Sequence, residues 1–316
     1  MAEWAVTTAN ASLEFDTVSG TYNSCYRIDS NHFINFWSGS GDDGFTQVFT
    51  VNTSTWAVTT AGNSLEFDTI LSNQNSCYAI DSSHFISFVR AYNNDNFVQV
   101  FTVNTSTWAV TTANARLWIQ DDVSTWNQVG CSRTCTQIDS NHFINSWTGL
   151  DMDGFVQVFT VNTSTWAVTT AADPLEFDGS QARGISCYRV DSNHFINFWS
   201  GSGDDGFAQV FTVNTSTWAI TTAGNSLEFD TVYGTYNSCY QIDSNHFINF
   251  WTNTTKGFAQ VFEVELPASG GSGTNMKLNV GDSWKTVTAV KINVGDTWKP
   301  VTKVQQNIGD TWKTVF

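Results

Sequence analysis

The feature that most constrains the fold is an internal repeat of roughly 52 residues. One Trp marks each copy, and the intervals between these Trp residues are 52, 52, 58 and 52: Trp4, Trp56, Trp108, Trp166 and Trp218. One His per copy follows, at intervals of 52, 58, 52 and 52: His32, His84, His142, His194 and His246. Five equivalent units must pack on one another, so the chain forms a ring, a solenoid or a row of small domains.

Each copy predicts four short strands. In the first complete copy these are SCYRI, HFINFW, GFTQVFTV and TWAVTT, separated by the turn sequences DSN, SGSGDDG and NTS. The second strand is apolar on both faces, since Phe33 and Trp37 point one way while Ile34 and Phe36 point the other. A small sheet covered on both sides is typical of blades stacked around an axis. We therefore predict an all-β fold, a five-bladed β-propeller over residues 1–265.

The ends of the repeat region are out of phase with the blades. The chain starts at what would be a fourth strand, TWAVTT-like from Trp4 to Thr8, and the repeats end after a third strand, FAQVFEVE. The N-terminal strand is therefore predicted to complete the last blade and close the ring. An open array would leave strand edges exposed.

One stretch of the repeat is similar to a known class of propeller. QVFTVNTSTW and the hydrophobic strand after it resemble the hairpin between the third and fourth strands of Kelch-type propellers. The paired glycines that follow the second strand in Kelch units appear only as SGSG, in copies one and four. The resemblance implies the fold and no particular function, since propellers serve many roles.

The composition changes after Glu265. Residues 266–275, LPASGGSGTN, predict a flexible linker. Residues 276–316 contain three near-identical units at a spacing of 14, NVGDSWKTV, NVGDTWKPV and NIGDTWKTV. The Gly-Asp pair in each predicts a two-residue β-hairpin turn. Such a small β-hairpin repeat arm needs to dock on another surface or on copies of itself.

The Gly-Asp-(Ser/Thr)-Trp-Lys units resemble short repeats near the ends of structural proteins of tailed bacteriophages. The residues of the first unit are Gly281, Asp282, Trp284 and Lys285. The resemblance implies that the arm anchors the protein to other virion proteins, with a homo-oligomer as the alternative. The expected anchoring residues are Trp284, Lys285, Trp298, Lys299, Trp312 and Lys313.

Charge and hydropathy exclude some partners. The net charge is −16, from 29 acidic and 13 basic residues, and all but three of the acids precede residue 266. An acidic propeller repels phosphate backbones, so no nucleic-acid partner is expected. No apolar run approaches the ~20 residues of a membrane span. The N-terminus lacks a secretory signal pattern, so we expect assembly in a host cytoplasm into a virion, or otherwise an extracellular protein.

The repeated Asp and His residues of the IDSNHF turns suggest a metal or anion ring. Equivalent positions in five blades lie too far apart for one metal, which needs each ligand at ~2 Å. We expect each Asp to accept backbone N–H groups in its turn and each His to pack locally. The Asp-rich turns GSGDDG and GLDMDG are alternative calcium sites. Copies two and five lose most of these carboxylates, so we predict no metal and no cofactor.

Five of the six Cys residues share one position in the repeat: Cys25, Cys77, Cys135, Cys187 and Cys239. This regularity favours packing in the innermost strand over a disulfide framework. Cys131 lies four residues before Cys135, and a local disulfide between them stays open.

The copies differ most in two classes of loop. The turns between the second and third strands and the loops before each first strand vary, and an up-and-down blade places both on one face of the ring. Loops on a rigid scaffold are the usual place for recognition, and aromatic rings beside Asp and Asn suit a glycan. The candidate ligand-binding residues are Tyr22, Trp37, Asp42, Asp43, Tyr92, Trp126, Asp151 and Tyr233.

These observations predict a protein that is not an enzyme, because no nucleophile or carboxylate pair stands apart from the repeat. The first hypothesis is a virion structural protein of a tailed phage, displayed as a decoration, fibre or tail appendage and binding host-surface glycans. The alternative is a free lectin-like carbohydrate-binding propeller. A hydrolase on a propeller scaffold is the third hypothesis.

Deletion of residues 266–316 tests the role expected of the arm. The truncated chain should lose incorporation into particles, or self-association, because the Trp-Lys units go with the deletion. Sedimentation of particles produced with and without the arm measures the incorporated protein. Unchanged incorporation of the truncated chain would remove the anchoring role.

Overall fold

The computed structural model describes residues 7–69, 72–91, 96–119, 134–253 and 255–265, and six short strands between residues 277 and 314. The chain divides into two compact units, Met1–Glu263 and Val264–Phe316. Within the described part of the chain, no helix is long and apolar enough to cross a membrane.

The first unit contains five small antiparallel sheets, one per sequence copy, which we call blades 1 to 5. The first three or four strands of each blade lie side by side in chain order, and the fifth strand of blades 2 to 4 pairs with the third strand of its blade. Blade 1 consists of β1 (Thr21–Arg27), β2 (His32–Ser38), β3 (Gly44–Val51) and β4 (Val58–Asp68). Blade 2 consists of β5 (Asn73–Ala79), β6 (His84–Arg90), β7 (Asn96–Val103), β8 (Val110–Thr112) and β9 (Leu117–Ile119).

The remaining blades repeat this order. Blade 3 consists of β10 (Cys135–Gln137), β11 (His142–Thr148), β12 (Gly154–Val161), β13 (Val168–Thr170) and β14 (Leu175–Asp178). Blade 4 consists of β15 (Arg183–Arg189), β16 (His194–Ser200), β17 (Gly206–Val213), β18 (Ile220–Thr222) and β19 (Leu227–Asp230). Blade 5 consists of β20 (Thr235–Gln241), β21 (His246–Asn253) and β22 (Lys256–Glu263).

In blades 2 to 4 the outermost strand is interrupted, and a glutamine bridges the interruption; in blade 1 the equivalent strand, β4, is continuous but contains a bulge. In blade 3, β13 pairs with one end of β12 and β14 with the other. Between them the amide of Gln157 donates to the carbonyl of Ala172. The corresponding Gln of blades 1, 2 and 4 donates to Gly62, Asn114 and Gly224 at 2.8, 3.0 and 2.8 Å. This side chain satisfies a carbonyl that the broken ladder would leave unpaired.

The apolar core lies between neighbouring blades. Phe36 of blade 1 contacts Phe101 of blade 2 at a ring-centroid distance of 5.0 Å, and Phe67 lies against both at 6.0 and 5.2 Å. Blades 4 and 5 repeat this three-ring cluster with Phe198, Phe229 and Phe262. The two apolar faces predicted for the second strand are therefore the faces against the preceding and the following blade.

A partly buried Asp–Trp hydrogen bond links the end of one blade to the second strand of the next. The indole N–H of Trp199 donates to Asp178 at 2.8 Å, and that of Trp251 donates to Asp230 at 2.8 Å. Asp178 also accepts the backbone N–H groups of Ser180 and Gln181, which shapes the connection between the blades. The residue pattern LEFD, followed 21 residues later by Trp, encodes this link.

The predicted all-β propeller fold is confirmed by these stacked blades. The strand predicted to close blade 5, from Trp4 to Thr8, falls largely on residues outside the described part of the chain. Among the described strands, β22 pairs with β21 alone.

The second unit forms three two-stranded hairpins, as predicted. They are β23 (Lys277–Val280) with β24 (Ser283–Thr286), β25 (Lys291–Val294) with β26 (Thr297–Pro300), and β27 (Gln305–Ile308) with β28 (Thr311–Thr314). In each hairpin the strands flank the Gly-Asp pair, and the Trp pairs with an Asn of the opposite strand.

Replacement of Trp199 by Phe should destabilise the propeller by about 1.5–3 kcal/mol, because it removes a hydrogen bond to a carboxylate and keeps the apolar ring. Trp147→Phe is the matched control. Trp147 is equally buried, and its indole nitrogen has no hydrogen-bond partner among the described residues. Urea unfolding of both variants measures the difference; an equal loss in the two would show that the Asp178 bond contributes little.

Candidate functional site

The first strands of all five blades line one central cavity. Its volume is about 880 Å³, and β1, β5, β10, β15 and β20 each contribute residues to its wall. These strands neighbour one another in that order. The Cys-bearing strand is therefore the innermost strand of each blade, as the sequence predicted.

Four tyrosines at one repeat position line the cavity. They directly follow the Cys of each first strand and are Tyr26, Tyr78, Tyr188 and Tyr240, with Thr136 in blade 3. The rings of Tyr26 and Tyr78 lie 5.2 Å apart, and those of Tyr188 and Tyr240 lie 5.6 Å apart. Tyr240 is 56% exposed. The cavity thus presents aromatic faces together with hydroxyl groups.

The hydroxyl of Tyr26 is held in its neutral form. Burial, and then the neighbouring Tyr78 through its charge and its hydrogen bond, raise the pKa of Tyr26 from 10.0 to about 12. A neutral phenol both donates and accepts hydrogen bonds. This dual capacity suits a ligand that carries many hydroxyl groups.

Polar groups extend the cavity wall near blades 4 and 5. Arg189 and Asp191 line it at the end of β15 and in the turn that follows, and Gln241 lines it at the end of β20. The Nε of Arg189 donates to the carbonyl of Asp191 at 2.6 Å, which fixes the guanidinium against this turn. Gln241 donates to the carbonyl of Val190 at 3.4 Å. The cavity therefore combines aromatic rings with both charged and amide groups.

The cavity cysteines join neighbouring blades. The backbone N–H of Cys77 donates to Ser24 Oγ at 3.1 Å, and the thiol lies 3.4 Å from the same oxygen. Cys239 repeats this contact with Ser186. Burial raises the pKa of the Cys77 thiol to about 12, so the thiol is protonated at neutral pH and is a poor nucleophile. Cys131 of the suggested disulfide with Cys135 lies outside the described residues.

The Asp-His turns form a self-contained structural unit. Asp29 accepts the backbone N–H groups of Asn31 and His32 at 2.9 and 2.8 Å, and its carboxylate lies 2.9 Å from His32 Nδ1. The imidazole of His32 stacks on Trp108 of blade 2 at 3.6 Å. The same stack joins His84 to Trp166 and His142 to Trp218. No three metal-binding side chains cluster anywhere in the described residues.

The two variable loop classes lie together, as predicted from the blade topology. The backbone N–H of Ser72, in the loop before β5, donates to the carbonyl of Asp42 in the turn between β2 and β3, at 2.6 Å. Ala182 and Met152 make the equivalent contact at 2.7 Å. We call the surface formed by these loops and turns the variable face.

Several candidate ligand-binding residues lie on the variable face. Asp42 and Asp151 are exposed and adopt left-handed backbone angles, with φ of 64° and 54°. Asp43 and Tyr233 are half-buried. Tyr22 is 49% exposed in a β-bulge at the start of β1, and Tyr236 holds the same position in blade 5 at 64% exposure.

Trp37 is not a surface residue. Its side chain is 2% exposed, and its indole N–H donates to Asp16 at 2.9 Å. Trp37 therefore belongs to the core between blade 1 and the segment that contains Asp16. Tyr92 and Trp126 lie outside the described residues. The six Trp and Lys residues of the arm lie in β24, β26 and β28, and their anchoring role stays a prediction.

The comparison with known proteins gives relatives by fold alone. No protein family matches the sequence, and no curated protein matches it. A candidate 6-phosphogluconolactonase from Bacteroides fragilis is similar in structure, with a TM-score of 0.56 and 11% identity over 77% of this chain and 67% of that chain. AofleA from Arthrobotrys oligospora gives a TM-score of 0.51 and 10% identity over 95% of this chain and 77% of that chain. Trypanosoma rangeli sialidase gives 0.51 and 9% over 95% and 55%.

The prediction that the protein is not an enzyme is wrong, because the comparisons contradict it. Two of these similar structures, the candidate 6-phosphogluconolactonase and the sialidase, bear the names of enzymes. A propeller can assemble a site from the same position of several blades, and each residue of such a site looks like part of the repeat.

The Asp-His turns predict acid sensitivity. The backbone N–H of Asn245 and then the His246 ring lower the pKa of Asp243 below 3.8. In Asp29, Asp81, Asp139 and Asp191 burial raises the pKa, and hydrogen bonds from the turn and the His outweigh it. A pKa lowered on folding stabilises the fold above the unfolded value, and this contribution is lost as the pH falls through the folded value.

Urea midpoints should therefore stay level from pH 7 to about 5 and fall below about pH 4. Asp191→Asn keeps a hydrogen-bond acceptor in the turn and removes the titrating group. This variant should show a smaller fall in midpoint between pH 5 and pH 3. An identical pH profile for the variant would exclude a contribution from this turn.

Proposed function

We propose that the protein binds carbohydrate in its central cavity. The observation on which the proposal rests is the set of four tyrosines, one from each of four first strands, around a single space of about 880 Å³. This volume lies within the range of about 300–1,000 Å³ that is usual for small-molecule sites.

The chemistry of the wall supports a sugar in particular. The apolar face of a pyranose packs on an aromatic ring, and its hydroxyl groups need donors and acceptors at the ring edge. Tyr188 and Tyr240 supply neighbouring rings, and Arg189, Asp191 and Gln241 supply polar groups beside them. The variable face offers a second set of exposed tyrosines, Tyr22 and Tyr236, which is the location expected from the sequence.

The structural neighbours support a link with sugar chemistry by their names alone. A sialidase and a candidate 6-phosphogluconolactonase both share the propeller fold with this chain. The phage virion interpretation has no support from the comparisons. It rests on the similarity of the Gly-Asp-Thr-Trp-Lys units, and the virion partners and location stay predictions.

A glycan array followed by titration calorimetry tests the proposal. The full chain should bind a defined set of glycans, and Tyr240→Ala should weaken binding about tenfold or more, or ~1.4 kcal/mol, because a stacking ring is lost. Release of sugar or hydrolysed product should be followed in the same samples, since the fold also occurs in enzymes.

Tyr236→Ala is the matched control. Tyr236 lies on the same strand and is at least as exposed as Tyr240, but it does not line the cavity. This variant should bind normally. Loss of binding in Tyr236→Ala with normal binding in Tyr240→Ala would move the site to the variable face. Absence of any glycan bound by the unaltered chain would contradict the proposal.

A further inference from the structure

Blades 1 and 5 each expose a face that is largely buried in the blades between them. On blade 5, Phe250 and Val261 are 51% and 50% exposed. Their equivalents Phe198 and Val158 are fully buried. On blade 1, Cys25 is exposed, whereas Cys77, Cys135, Cys187 and Cys239 are buried.

The exposed face of blade 5 matches an incomplete aromatic cluster on blade 1. The ring of Phe15 lies 5.4 Å from that of Phe49 of blade 1. Two complete clusters contain the equivalent pair of rings, each 5.2 Å apart: Phe67 with Phe101, and Phe229 with Phe262. In those two complete clusters the third ring comes from the second strand of the preceding blade. For the cluster of Phe15 and Phe49, the preceding blade is blade 5, and the equivalent residue of its second strand is Phe250.

The segment around Phe15 already behaves as the last segment of a preceding blade. Asp16 accepts the indole N–H of Trp37, which repeats the links from Asp178 to Trp199 and from Asp230 to Trp251. Asn10 donates to the carbonyl of Thr55, as Asn114 does to Thr165. Residues 10–16 therefore make the contacts that an outer strand makes with the blade after it. They do not make the contacts that an outer strand makes with its own blade.

Two further repeated contacts are incomplete at the same two faces. The first is the His–Trp stack. Trp108, Trp166 and Trp218 each stack on a His of the preceding blade. Trp56 has the same left-handed backbone, with φ of 61°, but its side chain is 54% exposed. The His of blade 5, His246, is 38% exposed in its side chain, against 12–15% for the three stacked His residues. The second is the Ser–Cys contact. Ser238 is equivalent to Ser24 and Cys25 is equivalent to Cys77, which are bonded to each other, but Ser238 and Cys25 are both exposed.

We propose that blade 5 packs on blade 1 of the same chain, with residues 13–16 as the outer strand of blade 5. Three contacts define this interface: Phe250 against Phe15 and Phe49, His246 stacked on Trp56, and Ser238 bonded to Cys25. Residues 13–16 then pair with β22 as Leu65–Asp68 pairs with β3. The partner surface lies on the same chain because β1 and β20 line one cavity. Closure completes the wall of that cavity.

Thiol labelling tests the closed ring directly. Full-length protein with Cys131→Ser retains five Cys residues, of which Cys25 alone distinguishes the open from the closed ring. In the native protein, Cys25 should react with iodoacetamide at least about 100-fold more slowly than in urea, as an interior thiol does. Mass spectrometry of the labelled peptides measures the rate at each Cys.

Rapid labelling of Cys25 in the folded protein, with the other four protected, would contradict the proposal. Protection that disappears on dilution, together with a dimer in sedimentation, would also contradict it, because the blade 1 face would then be covered by a second copy.

Phe250→Ser provides an independent measurement. Ser is tolerated at this position, since blade 3 has Ser146 there. In a closed ring, Phe250→Ser should lower the Tm within about 2 °C of the fall caused by Phe198→Ser, the matched change in the intact interface between blades 4 and 5. An unchanged Tm for Phe250→Ser beside a lowered Tm for Phe198→Ser would show that Phe250 has no packing partner.

Discussion

The structure depends on the contact between successive blades. A single blade has a few short strands and cannot shield the two apolar faces of its second strand. The clusters of Phe36, Phe67 and Phe101, and of Phe198, Phe229 and Phe262, bury those faces between blades. Edge-to-face aromatic contacts of this kind contribute about 0.5–1.5 kcal/mol each beyond the area they bury.

Polar contacts fix how the blades are aligned across these apolar interfaces. These contacts lie at three different places on the interfaces. The Asp–Trp bonds lie at the outer strand, the His–Trp stacks lie at the face opposite the variable face, and the Ser–Cys contacts lie near the axis. Apolar packing is not directional, whereas these contacts have defined partners and geometry. Together they set the spacing of the first strands around the axis, and that spacing determines the shape of the central cavity.

Much of the fold followed from the repeat alone. The strand order, the innermost position of the Cys strand and the packing role of the Asp-His turns were all predictable, because each depends on residues close together in one copy. The link from Asp178 to Trp199 was not identified, although the LEFD pattern was visible. Its two partners lie in different blades, and an Asp at a loop looks like an ordinary solvated turn residue. The sequence pattern predicts an exposed Trp37 for the same reason, since its partner Asp16 belongs to another segment.

The sequence by itself determined the unit of structure and its number of copies, because strand alternation and turn residues act over short distances. Only the tertiary structure decided which side of each strand meets the next blade, and that Tyr26, Tyr78, Tyr188 and Tyr240 converge on one space. In the sequence these tyrosines are separated by 52 to 110 residues and appear as one repeated aromatic among many. Their convergence is a property of the ring, since a rotation about a common axis brings equivalent positions together.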